Sequence, residues 1–225
     1  MKIVHVETGR HFYGGAQQVI WLLNGLRAAG VDCQLVCPPD ADINAAATKE
    51  GIPVTALSCA GDHDLRFAWR LRNQLRAEPP DIVHCHSRRG ADFLGGWAAK
   101  AARVPAVLSR RVDNPEPAWT ADLRYRPYRK VIAISENIAS VLTRNGFDWS
   151  RLAVIRDAVD VDSVVAEPEE GVLQREFNIL PTAFSIAVVA QLIPRKGHRF
   201  LLDVLPGLCA EYPFIKVVFF GAGES

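Results

Sequence analysis

The chain has 225 residues, 49% hydrophobic and 23% charged, and its 26 Lys and Arg against 25 Asp and Glu give a formal net charge of +1. That size and composition suit a globular protein of one large or two modest domains, and the balanced charge argues against a nucleic-acid partner. No run is long enough to span a bilayer and the first residues lack a signal-peptide pattern, so a cytoplasmic protein is expected.

Residues 2–6 read as a buried strand that leads through Thr8 to Tyr13 into Gly14-Gly15, after which 16–29 carries the apolar spacing of a helix. Unpaired N–H groups and the positive dipole end of a helix attract anions, and glycines let one approach the backbone. Beside a parallel sheet that is where a phosphate usually sits. The alternative is a tight strand-to-helix turn that simply requires glycine.

Further strands are expected over 33–37, 54–57, 82–85, 106–108, 130–134 and 152–155, with helices over 42–50, 64–77, 91–103, 120–128 and 135–145. Gly30, Gly51 and Gly146 are helix stops, and Ser135 is an N-cap. Single helices between strands imply right-handed crossovers and a doubly wound parallel α/β sheet of about seven strands. Residues 158–181 are more acidic and read as an interdomain connection with a short helix over 172–177. Alternation then restarts: strand 184–190, helix 198–210 containing Pro206, strand 215–220. Two strands and one helix do not close an α/β domain. The expected organisation is therefore a domain over 1–157, a connection over 158–181, and the truncated start of a second Rossmann-like domain over 182–225.

Five cysteines, Cys33, Cys37, Cys59, Cys85 and Cys209, are an odd number set mostly in apolar runs. They read as reduced core thiols. In His84-Cys85-His86 the two imidazoles share one strand face. Without a third ligand nearby the reading is a strand end lining a cleft, with no metal. G-x-G-x-x-G and G-x-S-x-G are both absent, which argues against a dinucleotide fold and a serine-hydrolase elbow. Arg124, Arg126, Arg129 and Lys130 surround Tyr125 and Tyr128, with Trp119 upstream. This is either a solvated helix face or a basic, aromatic patch for anionic lipid headgroups or a lipid-linked acceptor.

Five segments in order resemble the retaining glycosyltransferases of family 4, which have the GT-B fold. They are Gly14-Gly15-Ala16-Gln17-Gln18-Val19, Pro80 to His86 (P-D-I-V-H-C-H), Val131 to Glu136 (V-I-A-I-S-E), Val154 to Asp160 (V-I-R-D-A-V-D), and Ala190 to Gly197 (A-Q-L-I-P-R-K-G), the last followed by Gly221-Ala222-Gly223. The resemblance implies a two-domain enzyme with an acceptor-side N-terminal domain and a C-terminal domain for a nucleotide-diphosphate sugar. It implies no cofactor and no metal. Gly14 and Gly15 would receive the diphosphate, and Lys196 with Arg195 would neutralise the leaving group. His86 and Arg111 would line the acceptor side as the catalytic candidates. Gln191 stands where the family has Arg, Arg111 where it has His, and Asp157-Ala158 where it has Asn-Gly. An arginine there does not shuttle protons but can bind phosphate or carboxylate.

The function expected is sugar transfer to a glycan or glycolipid acceptor in bacterial cell-surface polysaccharide or lipopolysaccharide synthesis, with peripheral contact at the inner membrane face. The family's E-x7-E motif is absent, so the 225-residue chain is expected to lack turnover. The alternatives are an inactive fragment or acceptor-binding module, and a sugar-nucleotide epimerase of the same architecture.

Overall fold

The computed structural model describes residues 1–86, 90–161, 171–221 and 223, except the side chain of Arg195. They divide into two compact units, Met1–Asp160 and Val161–Ser225.

In the first unit, strands β1 (Lys2–Val6), β2 (Asp32–Cys37), β3 (Val54–Ala56), β4 (Ile82–Cys85), β5 (Ala106–Arg110), β6 (Lys130–Ala133) and β7 (Leu152–Val154) form one sheet. Its order is β3-β2-β1-β4-β5-β6-β7 and every neighbouring pair is parallel. The order reverses between β1 and β4, the kind of switch point at which open α/β sheets hold ligands. The helices are α1 (Gly14–Ala28), α2 (Asp42–Lys49), α3 (Leu65–Ala77), α4 (Gly96–Ala102), α5 (Ala118–Tyr125) and α6 (Glu136–Arg144).

Right-handed crossovers fix which helix covers which face. Val19, Ile20 and Leu23 of α1 and Ile43 of α2 bury Ile3 and Leu35 on one side of the sheet. Phe67 and Leu71 of α3, Ala98 of α4, Ala121 of α5 and Leu142 of α6 bury Val4, Val83, Leu108 and Val131 on the other. The α1 face beside β5, β6 and β7 carries none of these helices. A cavity of about 630 Å³ lies there between α1 and the strand ends, lined by Trp21, Leu22, Ile132, Ile134 and Ile155 among others.

Local chemistry explains the boundaries. Gly30, Gly51 and Gly146 end their helices in the left-handed region at φ +78°, +64° and +84°. The Ser135 hydroxyl accepts from the Ile138 N–H at 3.3 Å, and the Asp64 carboxylate accepts from the Phe67 N–H at 3.0 Å. Pro127 follows α5 closely, so the helix expected to reach residue 128 stops at Tyr125. The helix expected over 91–103 opens instead as a π-helical turn, Ala91–Gly95. Gly95 and Gly96 allow its close packing: added Cβ atoms would lie 2.7 Å from Cys85 Sγ and 2.6 Å from Tyr128 Cζ.

Two sequence expectations are corrected. Cys33, Cys37 and Cys85 are buried, but Cys59 is half-buried and Cys209 exposed, since a helix turned to solvent presents every side chain on that face. Tyr125 and Tyr128 belong to the core and not to a surface patch, and Arg124 is committed to Asp92 and Glu116.

In the second unit, α7 (Val172–Phe177) precedes β8 (Ser185–Val189), α8 (His198–Glu211) and β9 (Lys216–Phe220). The two strands pair in parallel, from Ser185 with Lys216 to Val189 with Phe220. Gly221 passes so close to β8 that an added Cβ would meet the Ala190 carbonyl oxygen at 1.9 Å. Ile179 is the unit's one fully buried hydrophobic side chain among the described residues, whereas Val189 is 80% exposed. No helix among the described residues is long and apolar enough to cross a membrane.

Candidate active site

The carboxyl ends of β1, β4 and β5 bring the sequence-predicted residues of the first unit together. Gly15, His86 and Arg111 line one cavity of about 200 Å³, joined by Glu7, Asp92 and Arg110. Gly14 adjoins it at the head of α1 and is exposed. Neither glycine has a positive φ. An added Cβ meets nothing within 4 Å at Gly14 and only Arg111 Cδ, at 3.6 Å, at Gly15. A tight turn therefore does not explain the pair. Tyr13 is the N-cap and gives no side-chain hydrogen bond, and the first turn of α1 contains no acidic residue. The helix start keeps its donors and its positive end for something else.

Arg111 is held in place by an ion pair with Asp157. Beyond it, the segment after β7 is clasped to α1: the Gln18 amide donates to the Ala158 carbonyl and accepts from the Ala158 N–H at 3.2 Å. Arg110, 4% exposed, pairs with Glu116 at 2.6 Å, and Glu116 also takes Arg124 Nε at 2.9 Å. Burial raises the Glu116 pKa, but Arg110 and Arg124 outweigh it and hold the carboxyl below its usual range. Arg124 Nη1 reaches Asp92 at 2.6 Å. This network fixes the cavity's back wall. Among the described residues Arg110 Nη1, Arg111 Nε and His86 Nδ1 have no hydrogen-bond partner, so these residues around the cavity retain unused capacity for a polar ligand.

Sequence reasoning missed His5. It pairs with His84 across β1 and β4, and its Nδ1 lies 2.9 Å from His86 Nε2, where one ring donates and the other accepts according to tautomer. His84 Nε2 meets Ser109 Oγ at 2.8 Å. The three rings cluster on the α1 side, His5 stacked on His86 and tilted against His84, with His84 and His86 centroids 3.9 Å apart. Burial lowers His5 to about 4. Burial, then the neighbouring rings and Arg111, hold His84 and His86 well below the usual value. All three are neutral imidazoles near pH 7.

Each ring offers one nitrogen within a common span of 4.8 Å, so the third ligand absent from the sequence reading does exist. A metal nonetheless fits poorly. The 2.9 Å separation is a hydrogen bond, whereas nitrogens at about 2.05 Å around a tetrahedral ion sit about 3.3 Å apart. The Arg111 cation close to the rings also opposes a dication.

Lys196 lies in the second unit, exposed at the end of a 3-10 turn, Pro194–Lys196, before Gly197 at φ +74°. The Arg195 side chain falls outside the described residues.

A family model described as Glycosyltransferase Family 4 matches residues 13–163, a span that covers α1 to the end of the first unit. The chain belongs to glycosyltransferase family 4. Among relatives of this family 4 chain, a phosphatidyl-myo-inositol mannosyltransferase of Mycobacterium leprae is 25% identical over 227 residues, covering 94% of the chain and 58% of that protein. HepE of Anabaena, solved with UDP and glucose, superposes at a TM-score of 0.81 with 17% identity, over 100% of the chain and 62% of its own. A UDP-GlcNAc 2-epimerase of Neisseria meningitidis, bound to UDP-GlcNAc, reaches 0.62 with 13% identity, over 97% and 65% respectively. The family 4 chain thus has the GT-B type of fold, and spans 58% to 65% of the length of these three proteins.

Proposed function

We propose that this chain takes part in retaining transfer of a sugar from a nucleotide-diphosphate donor, a uridine diphosphate sugar in the first instance, to the hydroxyl of a glycan or glycolipid. The observation that carries the reading is the uncapped, side-chain-free start of α1 beside the cavity of Gly15, His86 and Arg111. Family membership and the relatives' ligands support it. In this reading Gly14 and Gly15 receive the diphosphate and Lys196, with Arg195, balances the charge that builds on the departing nucleotide. No metal or cofactor is assigned a part. Arg111, oriented by Asp157, binds an anionic or polar group on the acceptor side. His86 offers a neutral hydrogen bond and not a charge, because it stays unprotonated. The acceptor would belong to bacterial cell-surface polysaccharide or lipopolysaccharide synthesis, with peripheral contact at the inner membrane face.

Differential scanning fluorimetry with UDP tests donor binding. A ligand at about 100 times its Kd stabilises the folded form by about 2.7 kcal/mol. A rise in Tm that Lys196→Ala or Gly14→Asp diminishes supports the reading. No rise at millimolar UDP overturns it. Release of a free sugar derivative without acceptor would mark an epimerase.

A further inference from the structure

A third cavity, of about 720 Å³, opens at the other end of the sheet, where the chain enters β5, β6 and β7. Five cationic side chains line it: Lys100, Arg103, Arg126, Arg129 and Arg151. No acidic side chain among the described residues does. Arg103, Arg126 and Arg129 have neither an ion pair nor a side-chain hydrogen bond among the described residues.

The ordinary explanation is that cations favour helix C-termini, and α4 and α5 both end here. Each helix end is worth roughly half a negative charge. Two ends therefore offset about one of the five cations and leave a large positive excess. Arg129 and Arg151, moreover, belong to neither helix.

Arg103 supplies a second, independent observation. It closes α4 in a left-handed conformation (φ 64°, ψ 30°), with its N–H bonded to the Lys100 carbonyl and the Val104 N–H to the Ala99 carbonyl at 3.0 Å. That is a Schellman closure, whose left-handed position glycine normally fills because a Cβ is strained there. Here an arginine accepts the strain and puts its side chain at the cavity. Arg151 is fixed beforehand: its guanidinium donates to the Tyr125 carbonyl at 2.8 Å and to the Tyr128 carbonyl, and lies 5.3 Å from the Phe147 ring centre. Planar guanidinium forks match phosphate oxygens in pairs.

We propose that this cavity is a binding site for a phosphate-bearing anion, separate from the Gly15, His86 and Arg111 cavity at the opposite strand ends. The ligand is a monoester or diester phosphate, carried either by a soluble metabolite or by a lipid headgroup. The inference stands without the transferase reading. A headgroup as the source would give the membrane contact proposed above a defined seat.

Two probes distinguish the sources: inorganic phosphate in isothermal titration at fixed ionic strength, and flotation with phosphatidylglycerol–phosphatidylcholine vesicles. The proteins compared are the unaltered chain, R126E/R129E, R103G and K196A. Saturable binding of either probe is expected, weakened about tenfold or more in R126E/R129E. R103G should bind more weakly while its Tm rises, which excludes misfolding as the cause. K196A should leave this site unchanged, so that failure of the donor reading registers only in the UDP response. Binding of vesicles assigns a headgroup. Binding of inorganic phosphate alone assigns a soluble ligand. The proposal is overturned if neither probe binds, or if R126E/R129E and R103G bind as the unaltered chain does.

Discussion

The histidine cluster makes a direct prediction about acid stability. In the unfolded chain each imidazole takes a proton near pH 6.5. In the folded chain His5 waits until about pH 4, and His84 and His86 are also held well below their usual value, by burial first and by neighbouring rings second. Between those limits the unfolded state binds more protons, so stability is whole above about pH 6.5 and falls as pH drops. Each histidine contributes about 1.4 kcal/mol per pH unit in that window. Tm followed from pH 7 to pH 5 should therefore fall steeply, and His86→Gln should flatten the slope. An unchanged slope in that variant would refute the assignment. At this scale the sequence pointed to those residues around the first unit's cavity that sit in local motifs: Gly15, His86 and Arg111. It concealed those that depend on strand order. His5 lies 81 positions from His86, and Arg111 lies 46 from Asp157. His5 has no local pattern of its own, and the segment that contains Asp157 does not point to Arg111.

Among the elements, the π-helical turn before α4 carries the sharpest consequence. Its wider winding displaces carbonyls from the usual ladder, and the buried Tyr128 hydroxyl donates to the Asp92 carbonyl at 2.7 Å and lies 3.2 Å from that of Ala91. Tyr128→Phe removes that donor without changing shape, and should cost about 1–3 kcal/mol. Urea unfolding would show a lower midpoint with unchanged slope. A variant as stable as the parent would mean that the carbonyls find another donor. The alternation of apolar runs and helical spacing was sufficient to read all seven strands of the first unit and the strand pair of the second, because a parallel sheet buried on both faces demands continuous apolar runs. Boundaries were less visible. β5 runs on to Arg110 because Ser109 and Arg110 pair with Ile132 and Ala133, a tertiary fact. The π-turn was hidden because its two glycines serve contacts with Cys85 and Tyr128 that no local pattern encodes.

For the whole molecule, the two units differ in what they bury. The first has hydrophobic cores on both faces of its sheet, whereas the second buries only Ile179 fully among its described hydrophobic residues and leaves Val189, Phe200 and Phe214 at 77% to 80% exposed. Protection from exchange follows buried contacts. Hydrogen–deuterium exchange should find the amides of β8 and β9 opening well before those of β1 and β4, and equal protection would contradict this. One small device in the first unit bears on how such a chain can vary. The Gln18 carboxamide holds residue 158 by its main chain alone. A fastening of that kind is indifferent to side-chain identity, so Asp-Ala can stand in for Asn-Gly and mutation there is free to retune chemistry while the strap stays shut.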